Sequence, residues 1–243
     1  MKVSLFITCI ADQMYPEVGE SVVRLLHRLG CEVEFPEGQT CCGQPAFNSG
    51  YRDEAREVAR QWIRAFEGSE YIVAPSGSCA GMIRHYYPQL FEDEPEWKEK
   101  AERLSARTYE LSQFLVHVLG VEATGARFAA KATFHPSCHA MRLLGVRGEP
   151  ERLLAGVEGL EMIELKCKED CCGFGGTFAV KMSEMSEAMV SEKARNVAET
   201  GAEVLIGTDL GCLMNIEGRL KKEGKTVRVM HLAEVLQKGA ERR

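Results

Sequence analysis

Apolar positions along this chain change their period in a fixed order, and the order occurs twice. Val3-Ser4-Leu5-Phe6-Ile7 is a near-continuous apolar run of strand length. Over 16–29, Val18, Val22, Leu25, Leu26 and Leu29 recur at helical spacing, and Gly30 follows in the C-cap position. Glu32-Val33-Glu34-Phe35 alternates as a strand does. Over 52–66, Ala55, Val58, Ala59, Trp62 and Phe66 share one helical side. Tyr71-Ile72-Val73-Ala74 predicts a strand, and a helix near 80–87 follows its turn. The second half repeats the order: a strand at 132–135, a helix near 150–155, a strand at 161–165, a helix over 183–200 and a strand at 204–207. The segments 109–115 and 230–236 also resemble each other. Alternating strands and helices imply right-handed βαβ units. The expected fold is α/β: two tandem pseudo-symmetric βαβ repeats with mainly parallel sheets, at 1–120 and 132–243, joined by a linker at 121–131. A charged stretch at 92–103 belongs to the first half alone and reads as a solvated helix or loop.

The cysteines keep the same register. Cys9, Cys41, Cys42 and Cys79 are matched by Cys138, Cys171, Cys172 and Cys212. Each set is one Cys, a Cys-Cys-Gly and one more Cys. The first gap is 32 and then 33 positions, and the last is 37 and then 40. Six of these residues follow directly on, or lie in loops after, the first two strand segments of a repeat; Cys79 and Cys212 follow the third. Ligands in parallel α/β sheets bind beyond the carboxyl ends of the strands. Four thiols per repeat are therefore expected to converge on one sheet edge, as two four-thiolate sites.

Composition limits what these sites do. The chain has 243 residues, ten cysteines and a net charge of −6. No basic, aromatic-laced patch argues for nucleic acid. No run of 18 apolar residues argues for a transmembrane segment. The short N-terminal apolar run meets Asp12 too soon for a signal peptide. The expected location is cytoplasmic, where thiols stay reduced, so metal binding or redox chemistry suits these cysteines better than disulfides. Structural zinc prefers C-x₂₋₄-C, whereas adjacent cysteines can take different irons of a polynuclear cluster. Gly43 and Gly173 allow a tight backbone turn, and backbone N–H groups through Gly175 and Gly176 are placed to donate to sulfur.

Other residues have plainer readings. Cys31, which has no repeat counterpart, and Cys167 are read as structural. His135 and His139 bracket Cys138 and serve either as sulfur donors, ligands or proton carriers, or as braces of the loop. Asp209 is expected to cap the helix that follows it. Met182, Met185 and Met189 have the spacing of packing residues. Gly173-Phe174-Gly175-Gly176 lacks the flanking strand and distal acid of a dinucleotide site.

The doubled Cys…Cys-Cys-Gly…Cys resembles the cysteine-rich CCG domain found in heterodisulfide reductase, in the glycolate oxidase iron–sulfur subunit and in the lactate utilization protein A family. Cys41-Cys42-Gly43-Gln44-Pro45-Ala46-Phe47, Pro75-Ser76-Gly77-Ser78-Cys79 and Cys171-Cys172-Gly173-Phe174-Gly175-Gly176-Thr177-Phe178 are most similar to the last. The resemblance spans essentially the whole chain. It implies an iron–sulfur electron-transfer subunit of an L-lactate (2-hydroxy acid) oxidising complex, with other iron–sulfur subunits as partners and no dehydrogenation by this chain alone. In the family pattern the last Cys opens a C-x-x-C. Here the partner positions are Met82 and Asn215, which leaves four thiolates per repeat, enough for two [4Fe–4S] centres. Thiol–disulfide chemistry like that of heterodisulfide reductase, or a structural zinc scaffold with zinc in one or both repeats, are the alternatives.

Overall fold

The computed structural model describes residues 1–239, so positions 240–243 of the second repeat's expected extent lie outside the described residues. Two four-stranded, all-parallel sheets make up its frame. In the first, β1 (Lys2–Leu5), β2 (Glu32–Glu34), β3 (Ile72–Ala74) and β4 (Thr108–Glu110) lie in the order β2-β1-β3-β4. In the second, β5 (Arg127–His135), β6 (Glu158–Met162), β7 (Val204–Gly207) and β8 (Arg228–His231) lie in the order β6-β5-β7-β8. The two orders correspond strand for strand. Matching registers, such as Leu5 beside Val73 and Phe134 beside Ile206, show the same unit built twice.

Several boundaries differ from the sequence expectation. β5 begins at Arg127, inside the segment read as a linker, because Phe128 is buried in the shared core and Arg127 and Ala130 pair with β6. β6 starts three residues early for the same reason. The fourth strand of each sheet was visible in the sequence only as a resemblance between two tails. The Cys-Cys-Gly-Gln-Pro segment, expected as loop throughout, turns helical at Gln44–Asn48. Pro45 sits in its first turn, where a missing N–H costs nothing. The charged first-half insertion forms the helix Pro95–Ser105, which buries Ala101 and Leu104.

The halves interlock. Helix Pro16–Arg28 starts on a proline and buries Val18, Val22, Leu25 and Leu26. Gly30 follows it at φ 82°, a left-handed termination that favours glycine. The helix packs against Leu232–Gln237 of the other half, in a core where Leu25 and Phe114 meet Phe134 and Leu236. Arg28 Nη2 donates to Leu236 O at 2.8 Å. Helix Cys9–Met14 contributes Ala11 to the second half's core. In return, helix Gly77–Gly81 lies on the π-helical turn Ala140–Leu144. A Cβ at Gly77 would fall 2.4 Å from Ala140 Cβ, so only glycine permits this approach. Among the described residues no helix is long and apolar enough to cross a membrane.

The last helix of each sheet starts on a different cap. Glu110 Oε2 accepts from Ser112 N (2.8 Å) and Gln113 N (3.3 Å). At the matching position, His231 Nδ1 accepts from Ala233 N at 3.1 Å. Burial raises the Glu110 carboxyl to about 7. It stays protonated in the folded chain up to that pH but ionises from about 4.5 when unfolded, so this group's contribution is full below 4.5 and is lost as pH rises to about 7. Glu110→Gln keeps the accepting oxygen without the charge. Urea titrations of both proteins at pH 5 and pH 8 should find the variant gaining on wild type by roughly 3 kcal/mol at the higher pH. A pH-independent difference would contradict this account of Glu110.

Candidate metal centre

Parallel β-strands leave their carboxyl ends on one side, and the helices and turns that follow carry all eight repeat cysteines there. Cys9 opens the helix after β1, and Cys138 opens the helical segment after β5. Cys79 and Cys212 lie in the first turns of helices Gly77–Gly81 and Leu210–Lys222, after β3 and β7. The adjacent pairs close the loops after β2 and β6. Gly43 and Gly173, each at φ 79°, turn the chain immediately after the pair. A Cβ on Gly173 would meet Ser186 O at 2.9 Å, which excludes other residues on contact as well as on conformation.

The structure brings both sets to one place. All eight thiols line a single cavity of about 190 Å³ between the two repeats. In the first set Cys9 and Cys41 are 3.7 Å apart, Sγ to Sγ, and Cys42 and Cys79 are 3.5 Å apart. In the second, Cys138 and Cys171 are 4.0 Å apart, and Cys172 lies beside Cys212. The arrangement is ordered by depth. Cys42, Cys79, Cys172 and Cys212 are buried, Cys41, Cys138 and Cys171 are half-buried, and Cys9 is exposed. Within each adjacent pair one sulfur therefore faces outward and its neighbour inward.

Their electrostatics alternate. Hydrogen bonds from the Cys42 and Cys9 thiols hold Cys41 down at about 3. Those from Cys138 and Cys172, with Gly173 N 3.4 Å from the sulfur, hold Cys171 at about 2. The same pairing, reinforced by burial, pushes Cys9, Cys42, Cys138 and Cys172 up. Each set thus holds one thiol pushed down beside neighbours pushed up. A bound cation would favour deprotonating the rest, because the thiolate is the ligating form.

The backbone around the sulfurs is braced differently in the two halves. Tyr87 Oη donates to Cys42 O at 3.1 Å, and Asn215 Nδ2 donates to Cys172 O at 2.9 Å. Asn215, which stands where a fifth thiolate would be, is a brace. Met82, its counterpart, is fully buried. Gly175, Gly176 and His139 line the cavity. His139 Nδ1 lies 3.6 Å from Cys138 Sγ. His135 is buried, its ring held neutral to about 3 by burial and by nearby Lys193. One of its nitrogens falls with the sulfurs of Cys172 and Cys212 in a group whose donor atoms lie within 4.8 Å of one another.

Two sequence expectations are corrected here. Asp209 does not cap its own helix. Its Oδ2 accepts instead from Ser78 N (2.8 Å) and Ser76 Oγ (3.4 Å) of the first repeat, and from Ser137 Oγ (3.2 Å). The carboxylate thus caps a helix of the other half, because the close Gly77–Ala140 approach places that helix start nearer. Met182 and Met185 are exposed, at 48% and 53%. The buried face of helix Ser183–Glu199 runs instead through Ser186, Val190, Ala194 and Val197. Cys31 packs in the shared core. Cys167 is exposed, and its carbonyl accepts from Lys193 Nζ at 2.6 Å.

These residues suit a sulfur-ligated metal group: eight unbridged thiols line one cavity, and a buried imidazole beside them has both nitrogens unpartnered. The sequence profile of the cysteine-rich domain matches residues 3–84 and 132–217. Lactate utilization protein A 2 of Bacillus cereus (strain AH820) is 58% identical over 239 residues, covering 98% of this chain and 99% of that protein. Lactate utilization protein A of Bacillus subtilis (strain 168) is 60% identical over 236 residues, covering 97% and 99%. A crystal structure of a hypothetical protein from Helicobacter pylori shares the fold, with a TM-score of 0.69 at 12% identity, over 99% of this chain and 49% of that one. This chain therefore belongs to the cysteine-rich CCG domain family, as a double-repeat member related over 97–98% of its length to the lactate utilization proteins A.

Proposed function

We propose that this chain is an iron–sulfur electron-transfer subunit of a complex that oxidises L-lactate to pyruvate. The observation that carries the reading is the pair of four-thiolate sets on one cavity. Cys9, Cys41, Cys42 and Cys79 would hold one group, and Cys138, Cys171, Cys172 and Cys212 the other. When bound, an iron–sulfur cluster takes up and releases single electrons at a potential set by its surroundings. The chain's own residues do the rest. Gly43 and Gly173 bring the backbone close. Tyr87 and Asn215 fix the carbonyls of the inner cysteines. The burial of Cys42, Cys79, Cys172 and Cys212 keeps water from the inner sulfurs, and the more open Cys9 side gives electrons a route in.

Lactate enters this reading through the names of the relatives. Oxidising it releases two electrons and two protons. The flavin- or nicotinamide-type site for that step belongs to another subunit, and this chain passes the electrons on. The exposed Val180, Met182 and Met185 follow the cavity-lining Gly175 and Gly176 and offer an apolar surface to such a partner.

The test is iron and acid-labile sulfide per chain after anaerobic purification, with low-temperature EPR before and after dithionite. About eight of each, with a dithionite-dependent signal, is the expected result for two [4Fe–4S] centres. One or two zinc ions without sulfide would replace this reading with that of a structural scaffold.

A further inference from the structure

We infer that the two centres are built unequal: His135 gives the second four-thiolate set an N–H···S hydrogen bond that the first set lacks, so the second accepts an electron more readily. The inference rests on the cluster reading above and concerns how the two sites differ.

The repeat supplies its own control. Three residues before Cys9 stands Phe6, and three before Cys138 stands His135. Both lie at the carboxyl end of the second strand in their sheet's order, and both are buried. Phe6 fits its surroundings: its ring meets Trp62 edge-on at 5.6 Å and Phe66 at 5.7 Å. The second half has no such aromatic slot. The helix facing this region there presents Val190, Lys193, Ala194 and Val197. His135 is 2% exposed, and neither ring nitrogen has a hydrogen-bond partner in the protein. A polar ring buried without partners is costly, and buried polar groups in folded proteins are nearly always satisfied. Lys193 is occupied elsewhere, with its ammonium on the carbonyls of Cys167 and Lys168. The sulfurs of Cys172 and Cys212, the two inner members of the set, lie beside the ring, in a group whose donor atoms are within 4.8 Å of one another, so a group bound there would bring sulfur to the unpartnered N–H.

The outer side repeats the contrast. Ile10 follows Cys9, whereas His139 follows Cys138 and lies 3.6 Å from its sulfur. Among the described residues no histidine of the first repeat lines the cavity. His135 and His139 thus stand at the positions that Phe6 and Ile10 hold in the first repeat. An N–H aimed at ligand sulfur stabilises the extra negative charge of the reduced state and so raises the potential.

The test uses the full chain, reconstituted anaerobically, in a redox titration followed by EPR. Wild type should reduce in two steps. His135→Phe, which installs the first repeat's residue, should keep its iron and shift only the higher step. The expected change is roughly tenfold in the oxidised-to-reduced ratio, or about 59 mV for one electron, towards the lower step. His135→Gln, which keeps an N–H, should shift less. Pulsed EPR of wild type should find weak histidine-nitrogen coupling on one signal alone, altered by ¹⁵N-histidine labelling, with a component that is retained in His139→Ile and lost in His135→Phe. This readout stands even if a substituted chain folds poorly. Full iron content with a titration unmoved by His135→Phe would overturn the proposal. So would nitrogen coupling strong enough for a direct metal ligand, or coupling on neither signal. Wild type that binds no iron would overturn the cluster reading, and the proposal would fall with it.

Discussion

Cys42→Ser is expected to lower bound iron from about eight to about four per chain, and Cys172→Ser to do the same, each erasing a different EPR signal. The inner cysteines are the residues to change. Each is almost wholly buried, at 3% and 1% exposure, so water cannot easily replace a lost sulfur. Each is also paired on both sides, Cys42 with Cys41 and Cys79, Cys172 with Cys171 and Cys212. A serine there offers a weak, mostly protonated oxygen in a low-dielectric site, and the outer neighbour loses the thiol that favoured its thiolate form. The scaffold should survive, because Cys-to-Ser changes one atom and the chain carries three separate hydrophobic cores. Iron lost from both halves on either substitution would mean one shared group in the cavity, and the two-centre account would be wrong.

Asp209→Ala is expected to cost about 3 kcal/mol in the metal-free, reduced chain, with Asp209→Asn intermediate. A single carboxylate oxygen receives three donors, from Ser78 N, Ser137 Oγ and Ser76 Oγ, in a site 6% exposed. Hydrogen bonds to a charged group contribute about 1.5–3 kcal/mol each, less than additively when they share an acceptor. The serine hydroxyls can turn to other partners, but the Ser78 amide cannot. Because Ser78 lies in the first repeat and Asp209 in the second, the variant should loosen the seam on which both thiol sets sit, and both should load metal more slowly. Urea unfolding of the two variants beside wild type measures the cost. A loss below about 0.5 kcal/mol would reduce the cross-repeat cap to a surface-like contact.

The alternation of strand and helix was legible because each periodic segment buries one face, and burial writes itself into sequence as a spacing. Val18, Val22, Leu25 and Leu26 mark a helix in any context. The strands of three to five residues were harder. β4 and β8 take their strand character from pairing with β3 and β7, and in isolation Thr108-Tyr109-Glu110 carries no alternation long enough to read. β5 extended back to Arg127 for a similar reason, since its added residues are held by a neighbouring strand and a core that only the folded chain supplies. Met182 and Met185 had helical spacing but sit beside the buried stripe, and which stripe of a helix is buried depends on what packs against it.

The eight cysteines, their division into two sets and the glycine after each adjacent pair could be read from the sequence alone. Repetition in register is information carried along the chain, and the left-handed turn at Gly43 and Gly173 is a local property of backbone sterics. What only the tertiary structure decided is how the two sets relate. Nothing local places Asp209 over the start of a helix that begins at Gly77, or puts all eight thiols on one cavity, or leaves His135 beside Cys172 and Cys212 while Phe6 lies among aromatic rings. Those relations arise from packing two repeats against each other at contacts as close as Gly77 on Ala140, and they depend on side chains far apart in the chain that have no sequence-local reason to meet.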